Sequence, residues 1–264
     1  MRGRLRGPYR RPRWICCGKG RLDASDAVRA ADTCSSTAVA TASDAGAAWL
    51  GAATGRRRRG TLRGCAPVAL HAVLNGTCNV ILSAMEQGAA YAAALAEAQS
   101  QGFAEADPTL DVGGFDAAHK LSILARLAFD PDLDYQALKS DTRGIAGVSA
   151  KQFAAQAARG RTIRLVGSIE SEAGKWRAKV GPVSLPRDHP LVTSGPINTM
   201  LFTGDPLGSV MLRGPGAGGG ATASAVMGDV LAAAAGVPGH VPVRQVVAPA
   251  AQAAAGDIEE LAGS

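Results

Sequence analysis

The chain has 264 residues, enough for one large domain or two small ones. With 47% hydrophobic and 19% charged residues it is too apolar for a disordered polyelectrolyte, and no run reaches the roughly 18 apolar residues of a membrane-spanning helix. The formal charge of +6 is uneven, because residues 1–65 carry 14 Lys+Arg against 4 Asp+Glu while the remainder is acidic, so the two stretches need separate readings.

Residues 1–65 show neither helical periodicity nor strand alternation: MRGRLRGPYRRPRWICCGKGR is broken by Gly and Pro, and Arg56 to Arg59 form a bare arginine run. Trp14 to Cys17 is too short for the apolar core of a secretory signal, and Asp23, Asp26, Asp32 and Asp44 argue against a transit peptide. The arginines allow phosphate binding with Tyr9 and Trp14 as stacking residues, or a disordered solvated tail. A third reading, translation of a shifted frame or misplaced start in GC-rich coding sequence, ranks first, and nucleic acid is not an expected partner. Cys16, Cys17 and Cys34 lack the paired two-residue spacing of a zinc site. No metal is expected, and the cysteine usage fits a reduced, cytoplasmic setting.

From Ala66 the text becomes locally consistent. Asn75-Gly76-Thr77 supplies a turn and cap for an apolar helix through Ile81, Leu82 and Met85, stopped by Gly88. An Ala-rich helix over 91–101 ends before Gly102. Asp107-Pro108 and Gly113-Gly114 place Glu105, Asp107 and Asp111 on an irregular loop. A helix over 116–128 follows, with Phe115, Ala118, Leu121, Leu124, Ala125 and Ala128 as its buried stripe. Asp116 and Lys120, four apart, project from one face. Spacing alone favours a surface ion pair worth about 0.3–0.5 kcal/mol; the functional alternative is a carboxylate-held lysine for proton transfer, useful near neutrality only if burial lowers its pKa.

Farther on, Thr162 to Glu170 and Trp176 to Val180 alternate as strands with one solvated face, and Asn198 to Thr203 and Ser209 to Arg213 read as a strand pair. Gly214 to Ala225 is a Gly-rich loop opening a helix through Val226, Val230 and Leu231, able to receive a phosphate or a cofactor's polar edge. Residues 241–264 read as an Ala-rich, partly ordered tail.

Asn75-Gly76-Thr77-Cys78-Asn79, the run Gly102 to Val112, and Gly114-Phe115-Asp116 with Lys120 resemble the signature of homoserine dehydrogenases, continuing through Ala125 to Phe129. The resemblance implies an α/β (α+β) fold, a mixed sheet with helices packed on one face. A catalytic domain is expected over 66–213, a cofactor-completing loop and helix over 214–236, and a tail over 237–264. It implies interconversion of L-homoserine and L-aspartate 4-semialdehyde with NADP or NAD, in a homodimer without membrane partners. Carried over, Lys120 is the proton donor and acceptor; Glu105, Asp116, Asp111 and Thr77 bind substrate; Gly102 and Gly218 contact the cofactor. Residues 1–70 hold no GxGxxG fingerprint, so the alternative is a non-enzymatic dimerising fragment or pseudoenzyme with a basic tail.

Overall fold

The computed structural model describes residues 65–130, 132–172, 174–216, 218–234 and 257–261. The expectations for the basic first segment and for most of the Ala-rich tail lie outside these residues. Strand β1 (Ala66–Val73) is followed by helices α1 (Gly76–Glu86), α2 (Tyr91–Ser100), α3 (Thr109–Val112), α4 (Phe115–Ala128), α5 (Tyr135–Ser140) and α6 (Ala150–Ala157). Strands β2 (Arg161–Glu172), β3 (Lys175–Pro186), β4 (Ile197–Asp205) and β5 (Gly208–Pro215), helix α7 (Gly219–Ala234) and strand β6 (Glu259–Glu260) complete the order.

The strands form one sheet in the order β5-β4-β1-β2-β3-β6. Every strand pair is antiparallel, and the parallel contribution to this sheet is an isolated bridge from Thr142 to Val180. Strand β1, apolar but for His71, lies between β4 and β2 and is buried along nearly its whole length. Such a strand carries no alternation for sequence reading to detect.

Side-chain alternation along the strands separates two clusters. On one face Leu70, Ala72, Ile163, Leu165, Ile169, Ala178 and Val180 meet the helices through Ile81, Leu82, Ala94, Ala98, Leu121, Leu124, Leu138 and Phe153. Burial of each Leu, Ile, Val or Phe side chain among them stabilises the fold by about 1.5–3 kcal/mol, and each Ala by less. On the opposite face Val73, Val166, Val183, Leu185 and Leu191 form a smaller cluster that contains no helical residue. Helices α1, α2, α4, α5 and α6 therefore pack on one face, as expected.

The expected solvated face is present over Trp176 to Val180 of β3 but absent from β2, and beyond Val180 consecutive residues of β3 are buried as well. The chain after β3 folds back so that Leu191 and Thr193 cover them. Arg164, 2% exposed, lies in this region with its guanidinium bonded to Thr193 O, Thr162 Oγ1, Ile163 O and Glu86. A charge so placed is tolerated because it is paired with Glu86 and four of its five N–H donors are used.

The expected stripe of α4 is buried at Ala118, Leu121, Leu124 and Ala125, while Phe115 and Ala128 are half-buried and Ala117 and Phe129 join the core instead. No described helix is long and apolar enough to cross a membrane.

Candidate active site

The site grows from the N-terminus of α1. Asn75 caps that helix in an extended conformation, its Oδ1 accepting from Cys78 N at 2.7 Å. The same side chain donates from Nδ2 to Asp111 Oδ1 at 2.7 Å and to Asp116 Oδ2 at 2.8 Å. Lys120 Nζ lies 2.7 Å from Asp116 Oδ2 and donates to Leu74 O at 3.2 Å. The end of β1, the cap of α1, helix α3 and the first turn of α4 thus converge on one hydrogen-bonded group of Asn75, Asp111, Asp116 and Lys120.

Lys120 is no solvated surface residue: its side chain is 12% exposed and that of Asp116 21%. Burial within this group pushes the Asp111 carboxyl above its ordinary value, with Asp116 and Glu105 adding to the rise, while the Asn75 amide and Lys120 oppose it. Asp111 does not sit on an irregular loop, as expected from the sequence; it lies on α3. That turn is seated by Ile145 N donating to Val112 O at 2.8 Å. A Cβ on Gly144 would stand 2.1 Å from Val112 O and 2.7 Å from the Gly113 Cα, so α3 can approach only a glycine there. Helix α4 begins at Gly114 with φ of 80°, against Thr142 and Val180, which leaves a side chain neither space nor an easy backbone conformation.

Other expected site residues lie at the margins. Thr77 donates its hydroxyl to Phe103 O at 2.6 Å, tying α1 to the turn that carries Gly102. Gly102 has φ of 76° with open space where a side chain would stand. Glu105 is exposed and acts on Asp111 through its charge; among the described residues its carboxylate forms no hydrogen bond. Gly218, also open and with φ of 115°, opens α7, where its carbonyl accepts from Thr222 N at 2.9 Å. Asn75 and Gly144 escaped the sequence reading as site residues. Asn75 was legible as a cap; nothing in local pattern marked Gly144.

Cys65 and Cys78 are free thiols, and burial pushes the Cys78 thiol well above its ordinary value. Among the described residues no three His, Cys, Asp or Glu side chains gather as a metal site. A buried amine paired with one carboxylate, beside a second carboxylate and an open glycine turn, can move a proton at a substrate oxygen and hold a cation nearby.

This fold and site define an α+β domain with an amine–carboxylate centre. The chain belongs to the homoserine dehydrogenase family, whose sequence profile matches residues 57–231. It is 44% identical over 165 residues to a homoserine dehydrogenase of Synechocystis, covering 60% of this chain and 38% of that protein. A Staphylococcus aureus homoserine dehydrogenase crystal structure superposes with a TM-score of 0.61 at 35% identity, covering 73% of this chain and 47% of that one. A hyperthermophilic archaeal homoserine dehydrogenase in complex with NADPH superposes at 0.57 with 31% identity, covering 69% and 51%. The chain thus spans 38% of the length of that Synechocystis relative.

Proposed function

We propose that the chain carries the substrate half of a homoserine dehydrogenase, interconverting L-homoserine and L-aspartate 4-semialdehyde with NADP or NAD. The observation that carries this reading is the secluded Lys120–Asp116 pair, bonded through Asn75 to Asp111. Asp116 fixes the Lys120 amine and binds substrate. Lys120 gives a proton to the aldehyde oxygen during reduction and takes it from the hydroxyl in the reverse direction. Asp111, Asp116 and Glu105 offer anionic oxygens to the substrate ammonium, and Thr77 stands at the edge of the same space while fixing the Gly102 turn.

The cofactor suits the two open glycines: bare backbone at Gly102 and Gly218 leaves room for a flat ring and its ribose. When bound, the nicotinamide supplies or accepts the hydride at the carbon bearing the substrate oxygen. The reading includes a cytoplasmic homodimer with small-molecule partners, and neither a membrane nor nucleic acid among them.

The test is homoserine-dependent reduction of NADP or NAD by the purified full chain, followed at 340 nm on the nicotinamide, with homoserine binding measured separately by calorimetry. Lys120→Ala is expected to lower turnover by about 10²–10⁴ while leaving cofactor affinity nearly intact. A folded chain that neither binds homoserine nor reduces cofactor would refute the reading and favour the non-enzymatic fragment; a rate unchanged in Lys120→Ala would refute the proton-transfer role.

A further inference from the structure

We propose that Asn75 is a positioning residue of this site: its two amide N–H bonds hold the Asp111 and Asp116 carboxylates side by side, so that both face one small ammonium group. The ammonium belongs to the substrate reading above, on which this inference rests; the carboxylate geometry stands without it.

A helix cap requires only the side-chain oxygen, and Ser or Asp would supply one as well as Asn. What Asn adds is an NH₂ group with two donors. Here both are used, at 2.7 Å and 2.8 Å, in a side chain of a residue 4% exposed whose oxygen is already committed to Cys78 N. One neutral side chain therefore bonds three elements, α1, α3 and α4. The charged and titratable groups around Asp111 are Asp116 and Lys120 from α4, Glu105 from the preceding loop and the Cys78 thiol from α1. Burial and two neighbouring anions drive Asp111 toward its neutral form, and the Asn75 amide is the largest opposing influence. Removing that amide would leave two half-buried carboxylates competing for one lysine, and a protonated Asp111 binds an ammonium poorly.

Asn75→Ser and Asn75→Asp both keep a capping oxygen and both lose the double donor. In the full chain labelled with ¹³C-carboxyl aspartate, with the Asp111 resonance assigned by Asp111→Asn, its titration midpoint is expected to rise by about one pH unit or more in either variant, further in Asn75→Asp. An unchanged midpoint in both variants overturns the proposal, whatever the activity of the chain. A raised midpoint in a chain that does not turn over homoserine supports the positioning geometry and counts against the dehydrogenase reading alone. In an active chain, Asn75→Ser should raise the KM for homoserine about three-fold or more at a pH below the Asp111 midpoint measured in the variant, with a smaller fall in kcat, and the KM defect should shrink at a pH well above that midpoint. A defect equal at both pH values would be that of a lost cap and would overturn the positioning role.

Discussion

Lys120 and Asp116 are separated by one helical turn, so their proximity follows from the 3.6-residue period and was legible in the sequence. Their seclusion was not. It depends on Leu74 at the end of β1 and on Asn75, residues 46 and 41 positions away along the chain. The distinction bears on energy, since an exposed pair of this kind contributes a few tenths of a kcal/mol, whereas taking the adjoining carboxylate from a largely enclosed charge costs about 1–3 kcal/mol. Asp116→Ala is accordingly expected to destabilise the fold by about that amount, and also to lower turnover and raise the KM for homoserine. Thermal denaturation and steady-state kinetics on one preparation check both; normal stability with altered kinetics would show that Lys120 finds sufficient partners elsewhere. Thr77 was expected to touch substrate, and its hydroxyl is engaged by the Phe103 carbonyl at 2.6 Å. Its contribution through the Gly102 turn therefore accompanies any direct contact.

At the scale of elements, α1, α2 and α4 were readable because the Asn75 cap of α1, the Ala-rich run of α2 and the apolar face of α4 are local signals, and Gly88 and Gly102, both with positive φ, close the first two. Helices α5 and α6 and strand β1 were not identified. The first two are short, six and eight residues, and the strand is buried on both faces. Helix α3 has four residues and no side-chain cap; its place is set by close packing on Gly144 rather than by its own sequence. Gly144→Ala should push α3 off its seat, because the nearest atoms are backbone and cannot swing aside. The expected outcome is a loss of about 1–3 kcal/mol of stability, together with weaker homoserine binding as Asp111 moves. Calorimetry with homoserine and urea denaturation measure the two effects; full binding with full stability would mean that the 142–145 segment yields easily.

For the whole molecule, the sheet closes at its β3 edge with β6, whose Glu259 and Glu260 pair with Ser184 and Val183. Cations flank it: Arg159 and Arg161 meet Glu259, and Arg143 and Lys179 meet Glu260. Most of these groups are substantially exposed, so the attraction is screened by salt. The Glu260 carboxyl is held below its ordinary value, first by the hydrogen bond from Lys179, and Glu170 is likewise lowered by His71. A depressed folded value means that these contributions are fully present above the ordinary glutamate value of 4.5 and are lost as pH falls through the lower folded one. Protection of the Glu259 and Glu260 amides, taken relative to the unstructured exchange rate at the same pH, should therefore fall below about pH 4 and in about 1 M salt, with β2 amides unaffected by salt; uniform protection across both conditions would mean that main-chain pairing alone holds β6. The sequence by itself determined the Asn75 cap of α1, the four-residue spacing of Asp116 and Lys120 and the later strands, because each is written in short-range periodicity or turn chemistry, while the family resemblance was carried by particular residues such as Asn75 to Asn79 and Gly102 to Val112. Tertiary structure alone decided the strand order, the double-sided burial of β2 and the gathering of Asn75, Asp111, Asp116 and Lys120. Those depend on which distant surfaces exclude water from one another, a property of the packed chain that no local window contains.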